Sequence, residues 1–176
     1  MSDGGPAGAL AALGLTLPPV PAPLAAYVPA VAAGTLVWTA GQLPFVDGVL
    51  TCTGVVGGSA GSTPGAGPME DPAPSVDEAT ATAAARTAAL NALAAVAAVA
   101  GGLDNVARIV KITVFVASAP GFTGQPRVAD GASRLIGEVF GEAGRHARSA
   151  VGVTSLPAGS PVEVELVAVL TAPLPL

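Results

Sequence analysis

The chain is poor in the residue types that most often carry chemistry. Among 176 residues there is one cysteine, Cys52, one histidine, His146, and one lysine, Lys111. A single cysteine closes no intrachain disulfide, which fits a reducing cytoplasm, and Cys52 reads as a small strand residue. One Cys and one His cannot build a Cys/His zinc cluster within one chain, so no metal is expected. Any Ser-His-Asp triad would have to use His146, which reads instead as a strand-edge residue. The glycine-rich run Gly54 to Gly67 lacks the Walker lysine and is not set between a strand and a helix, so no nucleotide cofactor is expected either.

Charge is also scarce. Charged residues make up 11% of the chain, and seven Lys and Arg against twelve Asp and Glu leave a net charge of -5. Affinity for phosphate backbones rests on clustered basic residues, so nucleic acid is not an expected partner. The first basic residue is Arg86, too late for the n-region of a secretory signal. Apolar residues reach 51%, much of it alanine. The longest weakly polar stretch, Ala88 to Leu103, is interrupted by Asn91 and Gly101-Gly102 and falls short of the ~20 residues of a spanning helix. No membrane segment is expected, and the cytoplasm is the expected location. A chain this apolar, with so little surface charge, is expected to cover part of its surface with copies of itself.

The periodicities present describe one domain. Residues 1–22 read as an irregular lead-in rich in Gly, Ala and Pro. A single domain is expected over 23–172, with a flexible loop rich in Gly, Ser and Pro inserted at about 57–74. Thr35 to Gly41 is β-rich, and Asp47-Gly48 signals a turn before Val49 to Val56, which suggests a β-meander or hairpin. Ser75 and Glu78 have capping-box spacing, predicting a helix from about Val76 to Ala100 that stops at Gly101-Gly102. Its Leu90, Leu93, Ala94 and Ala97 share a face. Arg108 to Val116 reads as a central strand. Val128, Ala132, Leu135, Ile136 and Val139 trace a second amphipathic helix ending near Gly141 to Gly144. Ala147 to Val153 and Val162 to Leu170 are the last strands. The order implies an α+β fold, a mixed sheet with two helices packed on one face. The other face must then be covered elsewhere, most simply by neighbouring subunits.

Few candidates for chemistry remain. Lys111, within an apolar strand, is either a Schiff-base nucleophile or a lysine on a solvated strand face. Arg148 lies at the start of a strand beside the small Ala147 and Ala150. Its guanidinium either binds a planar anion such as the carboxylate of a 2-oxo or 2-imino acid, or forms a structural ion pair with a Glu. Alternation puts Glu163 and Glu165 on one strand face, which is costly if both are buried without a partner or water. If the last two strands form an antiparallel hairpin, Arg148 lies near Val167, about five residues or roughly 16 Å from Glu163. A site using both would then join different subunits or require a sharp bend.

Several ordered segments, Ala26 to Val31, Thr39 to Pro44, Asp104 to Val116, Ala147 to Val151, Leu156-Pro157 and Val162 to Glu165, give the chain a resemblance to the Rid (YjgF-type) family over about Pro23 to Leu170. The resemblance implies a chorismate-mutase-like fold, a homotrimer with clefts between subunits, and no cofactor. It implies hydrolysis of reactive enamines and imines, such as 2-aminoacrylate, to 2-oxo acids and ammonia. Arg148 matches the family's carboxylate-binding arginine and Glu163 its water-orienting glutamate, as the catalytic pair. By the same resemblance Tyr27, Gly41, Ser133 and Ser149 line the substrate cleft. Three departures stand out: the long loop at Gly57 to Pro74, Ala150 where many members carry cysteine, and Ser133 or a neighbour where many carry asparagine. A trimer that binds or senses small carboxylates without turnover is the second reading. An endoribonuclease-type translation inhibitor is the third.

Overall fold

The computed structural model describes residues 4–20, 27–58 and 74–174. Its main sheet is built from strands β1 (Ala30–Ala33), β2 (Leu36–Thr39), β7 (Val106–Ala117), β8 (Ala147–Val153) and β9 (Val162–Leu170), in the order β1-β2-β9-β7-β8. The first three connections in that order are antiparallel; β7 and β8 run parallel. The sheet is therefore mixed. Helices α2 (Glu78–Ala100) and α3 (Gln125–Phe140) pack on one face, and the fold is α+β as its sequence implies.

The alternation of β9 explains which face is covered. Val162, Val164, Leu166, Ala168 and Leu170 are buried, while Glu163, Glu165, Val167 and Val169 between them are only half-buried. Ile112, Val114 and Val116 of β7 join the buried set, and Lys111, Thr113 and Phe115 face the other way. Among the described residues, no layer of this chain covers the second face.

Helix α2 is buried on most of its circumference, and alanine is what permits this. Ala81, Ala84, Ala85, Ala88, Ala89, Ala92 and Ala95 are almost fully inaccessible, so the helix sits close to both the sheet and α3. At the crossing, Gly131 of α3 lies over the Thr82 carbonyl of α2 so closely that a β-carbon there would overlap it. With 23 residues and a mean hydropathy of 1.5 over its most apolar window, α2 has the length and composition to cross a membrane. The shortness of Ala88 to Leu103 is thus not what argues against a span. The argument is that 56% of the window is buried within the fold.

Three local expectations need correction. The lead-in contains a seven-residue helix, α1 (Pro6–Ala12), where no period was legible; Pro at its start and Asp104, which accepts from Ala7 N at 3.0 Å, fix it. The cap of α2 is Asp77, whose carboxylate accepts from Thr80 N at 2.9 Å and from its hydroxyl at 2.6 Å. Ser75 instead lies in β6 (Ser75–Val76), parallel to β5 (Val55–Val56), and its hydroxyl donates to the Gly58 carbonyl. Glu78 pairs with Arg127 of α3 at 2.6 Å rather than closing a capping box. Finally, Asp47-Gly48 does make a tight turn, but between β3 (Phe45–Val46) and β4 (Val49–Leu50), a two-stranded ribbon separate from the main sheet. Of the inserted loop, residues 59–73 lie outside the described set.

Candidate functional site

The last two strands do not form a hairpin. Among the described residues, strand β8 pairs only with β7, in parallel, and β9 lies on the other side of β7. The chain passes from β7 through α3 to β8, a helical crossover, and such a connection brings the two strands back parallel. The sequence order strand, helix, strand carried that signal.

This pairing relocates Arg148. Its neighbour is Ile112 rather than Val167, and since Ile112 faces the helices so does Arg148. There it meets the flank of α3: Nη1 donates to Asp130 Oδ1 at 2.7 Å and to Ser133 Oγ at 3.1 Å. Asp130 and Ser133 are three residues apart on α3 and so share a face. The ion-pair alternative for Arg148 is thus realised with an Asp, while Nε and Nη2 have no protein partner among the described residues. The arginine side chain is 26% exposed, and Asp130 40%.

Ser133 continues the network to His146. The imidazole Nδ1 lies 2.6 Å from the Gly144 carbonyl, which can only accept, so Nδ1 carries the proton. Nε2 lies 3.1 Å from the Ser133 hydroxyl, and Ser133 in turn accepts from Arg148. His146 stands immediately before β8, at the strand edge as its sequence context implies.

Glu163 belongs to the opposite face. Its partner on β7 is Phe115, three residues beyond the position of Arg148, and β7 separates the two strands. Backbone spacing puts the two residues roughly 14 Å apart, with the sheet between their side chains. Within one chain Arg148 and Glu163 form no common site. The separation expected from sequence holds, for a different reason.

Around Glu163 the sheet end is tight. The isolated pairing of Gln42 with Val164 carries the chain after β2 alongside β9. Gly41 is thereby pressed against the Glu163 carboxyl, whose Oε1 fills the space of a β-carbon. Burial first, then the like charge of Glu165, raises the Glu163 pKa above the ordinary glutamate value. Ala40 N donates to the Pro29 carbonyl at 2.8 Å, so Tyr27 comes to the same end of the sheet, 60% exposed.

Ser149 lies on the face of Glu163, not that of Arg148. Its hydroxyl is 2.7 Å from Lys111 Nζ, so the lysine occupies a strand face, hydrogen-bonded, rather than an apolar pocket. The six residues therefore divide: Arg148 and Ser133 on the helix side, Glu163, Gly41 and Tyr27 at one end of the sheet, and Ser149 on the open face. Asp130 was not legible as a member of the first group, since nothing in its neighbourhood of sequence points to Arg148.

Two hollows among the described residues do not join the groups. One of about 60 Å³ on the open face is lined by Trp38, Lys111, Thr113 and Glu165. The other, about 280 Å³ between Thr16 to Pro19, the β3–β4 ribbon and Asn91, holds no candidate residue. Gly57-Gly58-Ser59-Ala60-Gly61 has the spacing of a nucleophile elbow, but Ser59 to Gly61 lie outside the described residues. Among the described residues no group of three or more His, Cys, Asp and Glu converges as metal ligands would.

Comparison with known proteins gives a consistent result. The family described as Endoribonuclease L-PSP matches residues 19–170. Protein TCP17 of Trypanosoma cruzi is 43% identical over 166 residues, covering 94% of either chain. A crystal structure of a candidate endoribonuclease from Shewanella oneidensis superposes with a TM-score of 0.81 at 33% identity, over 95% of this chain and all of that one. The YjgF gene product of Escherichia coli superposes with a TM-score of 0.57 at 27% identity, over 85% of this chain and 92% of its own.

Proposed function

The chain belongs to the Endoribonuclease L-PSP family, that of the YjgF-type (Rid) proteins, with their chorismate-mutase-like fold, and on that premise we propose that it hydrolyses reactive enamines and imines of small 2-amino acids. The products are the 2-oxo acid and ammonia. The observation that carries this reading is the Arg148 guanidinium, partly exposed and anchored through Nη1, with no partner for Nε or Nη2 among the described residues. Those two nitrogens match the two oxygens of a carboxylate.

In this reading 2-aminoacrylate tautomerises to the imine, whose C=N carbon is already electrophilic. Water adds to that carbon, forming the C–O bond, and the C=N electrons move to nitrogen. Glu163 takes a proton from the attacking water and passes it to nitrogen, giving the carbinolamine; it then carries the hydroxyl proton to the amine, which leaves as ammonia as the C=O forms. A carboxyl held above its usual pKa is suited to both transfers near neutrality. Binding the carboxylate at Arg148 holds the carbon where that water can reach it.

Because Arg148 and Glu163 lie on opposite faces of one sheet, the reading requires more than one chain. We propose a homotrimer in which the Arg148 of one subunit completes a cleft with the Gly41–Glu163 end of another. The uncovered sheet face supports association: Val31 is 54% exposed, Trp38 39% and Val151 42%. Tyr27 and Ser149 would line the same clefts.

The test is release of 2-oxo acid from enzymatically generated 2-aminoacrylate. Acceleration over buffer that is lost in Arg148→Ala supports the reading; no acceleration, or full activity of that variant, overturns it. Tight 2-oxo acid binding without turnover would favour a carboxylate sensor. RNA cleavage is the second reading, favoured by the description of the family and of the Shewanella structure. A net charge of -5 weighs against it, and intact RNA after prolonged incubation would dismiss it.

A further inference from the structure

We propose that Asp130 is a specificity-determining residue that confines the Arg148 site to ligands carrying a single carboxylate, a proposal that rests on Arg148 being the carboxylate-binding group. A guanidinium offers two edges for bidentate pairing, Nη1 with Nη2 and Nε with Nη2. Both hydrogens of Nη1 are engaged, one by Asp130 at 2.7 Å and one by Ser133 at 3.1 Å. The first edge is closed, and a ligand must approach along Nε and Nη2.

The two Nη1 partners differ in what they bring. Ser133 is neutral and positions the arginine, itself held by His146. Asp130 positions it too, but also places a negative charge beside the site, on an α3 flank that is only partly solvated. Arg148 and Asp130 together are neutral before any ligand arrives. One ligand carboxylate is drawn to the free edge at short range. A second carboxylate, a few carbons away on the same ligand, finds no unspent cation in the pair and meets Asp130 as a like charge. At separations of several ångströms near a protein surface, after solvent screening, such repulsion is worth roughly a tenfold loss of affinity.

The probe pair that isolates this effect is 2-oxoglutarate and its 5-methyl ester, which share the open-chain 2-oxo acid end and differ chiefly by the distal charge. Their dissociation constants would be measured by calorimetry on the full chain in its native assembly. Wild type should bind the ester about tenfold more tightly than the diacid. Asp130→Asn keeps an acceptor for Nη1 and should bring the two constants close to equality. Ser133→Ala should weaken both ligands alike and leave their ratio as in wild type, a separation that a purely structural role for Asp130 would not produce. An unchanged ratio in Asp130→Asn, or equal tightening of both ligands, overturns the proposal while leaving Arg148 in its role, provided that Arg148→Ala abolishes binding. If wild type binds neither compound, or Arg148→Ala binds both as wild type does, the carboxylate reading of Arg148 falls and this proposal with it.

Discussion

Glu163 lies across Gly41 so closely that its carboxyl oxygen fills the volume a β-carbon at position 41 would need. Gly41→Ala must therefore displace that carboxyl. If Glu163 manages the protons of imine hydrolysis, turnover should fall by about two orders of magnitude or more. Ketoacid release from 2-aminoacrylate measures it, and a fully active Gly41→Ala would exclude Glu163 in its present position from the chemistry.

Stability should report the strained charge of Glu163. Burial and Glu165 raise its pKa, so the folded chain holds this proton more tightly than the unfolded chain does. Its contribution to stability is complete below the ordinary glutamate pKa and is lost as pH rises through the folded-state value. Glu163→Gln has no such loss. Urea unfolding should find that variant more stable than wild type at neutral pH, with the gap closing toward about pH 4. A gap that grows on acidification would mean that the pKa is lowered instead.

Gly131→Ala tests the helix crossing. Alanine is the better helix former by about 1 kcal/mol, yet here its methyl would meet the Thr82 carbonyl. Overpacking of a close contact costs about 1–3 kcal/mol, so a net loss of stability is expected. A thermal melt showing higher stability would mean that α2 and α3 can separate without cost.

Val31 stands opposite Trp38, and Trp38 opposite Val167, in a row across the uncovered face. A charge in that row should oppose burial against a second chain. If the chain assembles as the proposed trimer, Val31→Glu is expected to turn it into monomers by light scattering and to abolish turnover together with assembly. A Val31→Glu protein that stays trimeric would place the interface elsewhere.

Much of this architecture was legible in periodicity. The bounds of β8 and β9 agree with the sequence reading to the residue, and the end of α3 nearly so; β9 and α3 each bury one face, while β8, at the sheet edge, buries no residue fully and was legible from its β-rich run alone. Helix α2 was legible mainly from its ends and length, since burial on most of its circumference erases amphipathic contrast. Its cap was misassigned because Ser75 and Asp77 are both good capping residues, and pairing of Ser75–Val76 with β5 decides between them.

By itself the sequence determined the two long helices, the three long strands, the α+β class, the family and the residues worth testing, because alternation and helical spacing are local properties of the chain. It also required Glu163 and Glu165 to share a face. Only the tertiary structure decided that Arg148 lies beside Ile112 on the helix side, bound to Asp130, while Glu163 lies on the far side against Gly41. The reason is that a pattern states which side of a strand is apolar, not which strand will be its neighbour. That choice was made by α3, whose packing against the sheet returns the chain parallel to β7 and leaves β9 to pair on the other side.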